Sequence, residues 1–180
     1  MKPVSNSLTL MGVFTAMIVV VGYAFIHVPN VEVLLATTFL AGMILGPKKG
    51  AFVGGVGELI YAVLNPLGIS AVPLLLGQVI GVAVVGFSGG LVIRADYRNI
   101  TVKKQIFLLA LCGFGLTLFF DLLTTLSFLI MSGLTIHTFL GAYAYGAPFY
   151  IIHVVANTAI FSLLIPLLYR VLMKTNFILN

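Results

Sequence analysis

Charged residues are scarce in this sequence. Four Asp and Glu and nine Lys and Arg make up 7% of the 180 residues, whereas 61% are hydrophobic. The mean hydropathy is +1.22. This composition excludes a water-soluble globule with a polar surface, and no stretch is polar and long enough to form a soluble domain. We therefore expect a single integral membrane domain over residues 1–180.

Cysteine and the common catalytic signatures are nearly or wholly missing as well. The single cysteine, Cys112, excludes a disulfide framework and a cysteine-based metal site. The sequence contains no GxxxxGK[ST] loop for ATP and no GxSxG or HExxH signature. We therefore expect no enzyme activity and no cofactor. A metal site formed by His153, Asp121 and Glu58 stays a minor alternative, because the spacing of these residues matches no known ligand motif.

Apolar segments fill most of the chain. A helix needs about 20 mainly apolar residues to cross the hydrocarbon core, and somewhat fewer where the bilayer thins. The sequence predicts an all-α bundle of six transmembrane helices, over residues 8–26, 31–46, 51–64, 71–93, 106–131 and 147–172. Because the second and third segments are short, a re-entrant hairpin is an alternative to two short crossings.

The basic residues divide cleanly between the two sides of this topology. All nine fall at the N-terminus, the second and fourth connections or the C-terminus, and none falls in the first, third or fifth connection. The positive-inside rule makes the basic side cytoplasmic, so both termini are predicted to be cytoplasmic. Because the basic residues are scattered over segment ends rather than gathered on one face, we expect no nucleic-acid partner.

The stretch "HVPNVE", residues 27–32, forms the first external connection in this topology. Pro29 ends the first helix, and Asn30 is placed to cap the second, with Glu32 in its first turn, where the helix dipole favours an acidic residue. A capping role needs no ligand. Capping and ligand binding are equally good interpretations of Asn30 and Glu32.

Polar residues inside the apolar segments are the next signal. Such residues are costly in a membrane and usually face a cavity or the interior of the bundle. For Gln78 and Asn157 alone, a structural hydrogen bond between helices is the simpler interpretation. Asp121 and Glu58 are harder to explain in this way, because no Lys or Arg lies in the same half of the bundle to pair with them. His153 or a ligand is the expected partner.

Small residues at a spacing of four occur on three helices. The pairs are Gly12 with Ala16, Gly50 with Gly54, and Gly77 with Gly81. This spacing permits close helix contacts, more often within one chain than with a partner.

Four stretches together resemble the substrate-binding S component of an energy-coupling factor (ECF) vitamin transporter. They are "VPNVE", "LGPKKGAFVGGVGELI", "FFDLLTTLSF" and "YGAPFYIIHVVANTAIF". The resemblance runs from Gly12 to about Arg170 and is nearest to the predicted cobalamin-type group. It implies a protein of a prokaryotic cytoplasmic membrane that binds a vitamin from outside. It also implies association with a membrane scaffold subunit and two cytoplasmic ATPases.

The resemblance also implies roles for individual residues. Gly12 and Ala16 match the small residues that contact the scaffold subunit in this family. The substrate-binding residues would be Asn30, Glu32, Gln78, Asp121, Thr124, His153 and Asn157. The connections around residues 67–70 and 137–145 would close over the ligand, and Tyr143 and Tyr145 would stack on it or anchor the protein at the membrane interface.

Two alternatives from other classes stay open. In an autonomous carrier, Asp121, Glu58 and His153 would relay protons without an ATPase. In a membrane-embedded enzyme, His153 and Asp121 would act as base and acid on a lipid substrate.

Overall fold

The computed structural model describes residues 4–174, with the side chains described from residue 7 onward. Within this range the chain forms six α-helices and one short 3-10 helix, and no β-strand. The helices are α1 (Val4–Ala24), α2 (Val33–Leu45), α3 (Pro47–Val63), α4 (Val72–Arg94), α5 (Val102–Ser132) and α6 (Ile136–Lys174), and the 3-10 helix spans Tyr97–Asn99. The predicted all-α fold with six helices is confirmed.

Four of the described helices, α1, α4, α5 and α6, are long and apolar enough to cross a membrane. Their outward surfaces carry large apolar side chains such as Ile80, Phe107 and Val155, which are more than half exposed. Exposed apolar surface of this extent is stable only against lipid or a partner protein. The chain is therefore an integral membrane protein.

The short helix α2 lies at the centre of the bundle. Residues 34–43 are all buried, and α2 packs against α1, α3, α4 and α6. A helix that is apolar on all sides is expected to be buried in this way. With 13 residues, α2 covers about 20 Å, which is less than the roughly 30 Å hydrocarbon core. The connection before it, residues 25–32, fills the remaining depth.

Glycines let α2, α3 and α4 touch backbone to backbone. A side chain added at Gly42 or Gly50 would collide with the carbonyl group of Gly86, and one added at Gly90 would collide with Pro47. We call Gly42, Gly50, Gly86 and Gly90 the glycine contact. The pair Gly77 and Gly81 likewise packs on α5, so both pairs of small residues on α3 and α4 serve contacts within the chain.

The bundle has two distinct ends. Every Lys and Arg among residues 4–174 lies where α1, α3 and α5 begin and α2, α4 and α6 end, which we call the basic end. Contacts across this end include Arg98 Nε donating to the Tyr169 hydroxyl (2.8 Å) and Arg170 Nη2 donating to Gln105 Oε1 (3.1 Å). Helix α2 ends and α3 begins at this end, so Lys48 and Lys49 lie with the other described basic residues.

Four of the predicted helix starts were too late. Helix α1 begins at Val4 rather than at residue 8. Helix α3 begins at Pro47 rather than at residue 51, because Gly46 (φ 87°) alone links α2 to α3. Proline suits the first position of a helix, where its missing N–H is not needed. Helix α5 begins at Val102 rather than at residue 106.

The largest difference concerns α6, which begins at Ile136 rather than at residue 147. The predicted fifth connection is thus reduced to residues 133–135, and residues 137–145 form helical turns rather than a loop that closes over a ligand. Pro148, which follows the predicted start at residue 147, lies inside the helix. Proline is tolerated inside membrane helices because neighbouring groups satisfy the freed carbonyl.

Candidate ligand-binding cavity

A cavity of about 200 Å³ opens at the end of the bundle opposite the basic end, which we call the cavity end. It lies where α1 and α3 end and α2 and α4 begin. The polar residues that line it are Asn30, Glu32, Glu58, Tyr61, Asn65 and Gln78. The apolar lining includes Val21, Phe25, Ile26, Leu34 and Phe120. The cavity therefore offers a small set of polar groups on an apolar wall, as ligand sites commonly do.

The first connection supplies two of the polar groups. Asn30 has a positive φ of 60°, a left-handed conformation that asparagine tolerates better than most residues. Helix α2 begins at Val33, with Glu32 at the N-cap position and no side-chain capping bond. The capping interpretation of Asn30 is therefore wrong. Both side chains are left to line the cavity.

Glu32 reaches toward a buried pair on α5 and α6. His153 Nδ1 lies 2.7 Å from Asp121 Oδ1, and both residues are buried. Because an ionised carboxylate can only accept, we assign the Nδ1–H of His153 as the donor. On the other side of the ring, Nε2 lies 3.5 Å from Glu32 Oε2. Glu32, His153 and Asp121 thus form one chain of titratable groups linking the first connection to α5 and α6.

Glu58 forms no bond with Glu32, His153 or Asp121. Its side chain on α3 is 3% exposed and lines the cavity. Among residues 7–174, whose side chains are described, no hydrogen bond or ion pair reaches its carboxylate. Buried polar groups in folded proteins nearly always have a partner. A carboxyl group that faces a cavity without a protein partner is therefore one indication of a ligand, and the buried Asp121 Oδ2, which has no hydrogen-bond partner in the described chain, is another.

The remaining predicted site residues differ in whether they line the cavity. Gln78 lines the cavity, and its buried Oε1 has no hydrogen-bond partner in the described part of the chain. Thr124 donates to the backbone carbonyls of Phe120 and Asp121 on its own helix. Asn157 is fully buried below the cavity, with no partner found among the described residues for either side-chain polar atom. Their roles in binding stay predictions.

The two aromatic candidates on α6 lie outside the cavity lining. Tyr143 stacks between Phe139 and Tyr150, with ring centroids 4.9 and 5.1 Å apart, and Tyr145 is 89% exposed. The aromatic residues that do line the cavity are Phe25, Tyr61 and Phe120. Sequence reasoning missed Phe25 and Phe120, because nothing in an apolar helix distinguishes a phenylalanine that faces a cavity from one that faces lipid. No group of three or more His, Cys, Asp or Glu residues in the described chain is arranged to hold a metal ion.

A second concave surface lies on the outside of α1 and α3. Its lining is almost wholly apolar and includes Leu8, Met11, Val20 and Phe52 together with Gly12 and Ala16. A side chain added at Gly12 would meet nothing within 4 Å, so this glycine, unlike those of the glycine contact, serves no packing in the isolated chain.

An all-helical membrane bundle with a polar cavity and an unpaired buried carboxylate defines a class of protein that binds a small molecule within the membrane. Comparison with known proteins identifies the family. The family model "ECF transporter, substrate-specific component" matches residues 6–178, so this chain belongs to that family. Neither the comparison with curated proteins nor the comparison with solved structures found a match. The family is a transporter component and not a family of enzymes.

Proposed function

We propose that this chain captures a vitamin-type micronutrient from outside the cell in the cavity and delivers it through a membrane scaffold subunit and two ATPases. Family membership implies a small-molecule substrate and association with the scaffold and ATPase modules. The observation that carries the finer proposal is the position of the cavity, which opens at the end opposite all described Lys and Arg residues. Under the positive-inside rule the cavity then faces outward, and both termini are cytoplasmic.

The size of the cavity bears on the nature of the ligand. Pockets for drug-sized ligands occupy about 300–1,000 Å³, whereas this cavity measures about 200 Å³. A corrinoid is several times larger than such a cavity. The cobalamin-like ligand suggested by the sequence resemblance is therefore not favoured, and we propose a micronutrient or precursor of one or two rings.

The groove on α1 and α3 supports the proposed contact with the scaffold subunit. Gly12 and Ala16 lie in this groove, and both are exposed. Small residues let a partner helix approach the backbone closely, which is how membrane helices associate without help from the hydrophobic effect. Gly12 has no neighbour within 4 Å in the described chain, so the surface around it is free for a partner helix.

The test is Gly12→Leu, with Gly115→Leu as the matched control. Both glycines are exposed on long helices, and an added side chain at either position meets nothing within 4 Å. We expect Gly12→Leu to fold and to bind ligand normally but to lose co-purification with the scaffold subunit and ATP-dependent uptake. Gly115→Leu should retain both. Normal uptake by Gly12→Leu would refute the contact.

The chain of Glu32, His153 and Asp121 favours one alternative, the autonomous proton-coupled carrier, since linked titratable groups in a membrane often conduct protons. However, within the described residues no carboxylate or histidine continues the chain from Asp121 toward the basic end. A complete relay across the membrane is therefore missing. Uptake driven by a pH gradient in liposomes that contain this chain alone would favour the carrier over our proposal.

A further inference from the structure

The cavity end carries an excess of negative charge. Three of the four acidic residues in the chain, Glu32, Glu58 and Asp121, lie at this end, and the fourth, Asp96, lies at the basic end. In the described part of the chain, no Lys or Arg is found at the cavity end. The histidines are the only side chains there that can carry a positive charge near neutral pH.

The same histidine lies beside two of these carboxylates. Nδ1 of His153 is bonded to Asp121 at 2.7 Å, and Nε2 lies 3.5 Å from Glu32 without a hydrogen bond, so the ring lies between these two carboxylates. The other two histidines, His27 and His137, are exposed. No ion pair of either with a carboxylate was found among the described residues. Glu58 therefore has no internal cation, although its side chain is nearly fully buried.

We propose that the cavity selects a ligand that carries a protonated nitrogen, such as an ammonium, an amidinium or a protonated heterocycle, and places it on Glu58. This proposal rests on the proposed function and names the chemical class of its substrate. The cationic group of the ligand would form the ion pair with Glu58 that no described side chain of the protein provides. An isolated carboxyl in an apolar site avoids a buried charge by holding a proton, and a ligand cation would take the place of that proton and allow Glu58 to ionise.

The rest of the lining sets the size and shape of the ligand body. A cavity of about 150 Å³ holds one benzene ring, so about 200 Å³ holds one substituted ring. Phe25, Leu34 and Phe120 supply apolar contact for such a ring. The amides of Asn30 and Gln78 offer hydrogen bonds at its edge, and the buried Oε1 of Gln78 has no partner within the described chain.

Other ligand classes fit this lining less well. An anion would be repelled by Glu32 and would find no Lys or Arg at the cavity end of the described chain. A neutral ring would offer Glu58 no charge with which to pair. A bare divalent cation usually takes six or more oxygen ligands, and no metal-binding group of three or more His, Cys, Asp or Glu exists in the described residues. An organic cation with an apolar body matches both the carboxyl groups and the apolar side chains of the lining.

The experiment compares three probes of similar size on the full-length chain in nanodiscs at neutral pH: benzylammonium, benzyl alcohol and benzoate. Calorimetric titration and the melting temperature report binding. We expect benzylammonium to bind and to raise the melting temperature, with benzyl alcohol at least about tenfold weaker, since it offers Glu58 only a neutral hydrogen bond. Benzoate and calcium chloride should have no effect.

Glu58→Gln keeps the shape of the side chain and removes its charge. It should weaken benzylammonium binding by about tenfold or more and leave benzyl alcohol unchanged. Asp96→Asn is the matched control, because it removes one acidic charge at the basic end, at a left-handed position (φ 65°) that asparagine also tolerates. This control should bind benzylammonium like the original chain.

Equal binding of benzyl alcohol and benzylammonium would overturn the proposal, as would stronger binding of benzoate, stabilisation by calcium, or no response to any probe at millimolar concentration. The probe comparison uses the unsubstituted chain, so it decides the question even if Glu58→Gln does not fold. It also needs no scaffold subunit. If the probes do not bind in the expected order but the unsubstituted chain associates with the scaffold subunit, the cation specificity alone is refuted. If the unsubstituted chain does not associate with the scaffold subunit, the proposed function alone is refuted.

Discussion

The two ends of α2, α3 and α4 differ in what separates the helices. At the basic end, the glycine contact brings the three backbones together, so that the carbonyl of Gly86 lies against Gly42 and Gly50. At the cavity end, the same helices are kept apart by larger side chains, among them Tyr61, Leu34 and Gln78, and the cavity lies between them.

The difference shows how a small bundle forms a cavity without losing its fold. Tight packing at the glycine contact and open space around Glu58 lie toward opposite ends of the same helices. The short helix α2 adds to this, since residues 25–32 precede it and form one wall of the cavity.

Gly86→Leu should have the largest effect on stability, because it disrupts the glycine contact. A side chain at Gly86 would collide with the backbone of Gly50 and Ala51, which cannot move aside. We expect a loss of roughly 3 kcal/mol or more in stability, and little folded protein recovered in mild detergent. Thermal melting of the purified protein measures this loss. Gly115→Leu, which meets no neighbour, should melt like the original chain, and an equally stable Gly86→Leu would contradict the packing described here.

Asp121→Ala should have the second largest effect. The substitution leaves the buried Nδ1–H of His153 without its acceptor. Breaking a buried pair by removing one partner destabilises a protein by roughly 3 kcal/mol. We expect a lower melting temperature and weaker ligand binding, because Asp121 positions the ring of His153 beside Glu32, which lines the cavity. Calorimetric titration with the ligand and thermal melting separate the two effects.

Asp121→Asn is the matched variant with the smallest expected effect. Its amide oxygen still accepts the Nδ1–H bond, so most of the stability should be retained, while the negative charge is lost. If Asp121→Asn and Asp121→Ala were equally unstable, the charge rather than the hydrogen bond would hold this pair together.

The sequence predicted the helix count and the clustering of polar residues because these depend on composition and on charge distribution. The absence of Lys and Arg from three connections placed Glu32, Gln78 and Glu58 in one half of the bundle, and all three line the cavity. Such signals persist whatever the details of side-chain packing.

Other features could not be predicted from the sequence, because they depend on tertiary contacts. The predicted start of α6 at residue 147 was too late, and Pro148 lies inside the helix, since only neighbouring helices decide whether a membrane helix tolerates an internal proline. Asn30 had the right side chain for a cap, but its backbone turns left-handed instead. Phe25 and Phe120 carried no signal, because the residues around them are equally apolar.

The most direct measurement is native mass spectrometry of the gently purified chain, alone and as Glu58→Gln. The account predicts one bound molecule per chain, of one or two rings and with a basic nitrogen, that is lost in Glu58→Gln. A bound molecule of corrinoid size, or an acidic or neutral ligand retained equally by Glu58→Gln, would contradict it.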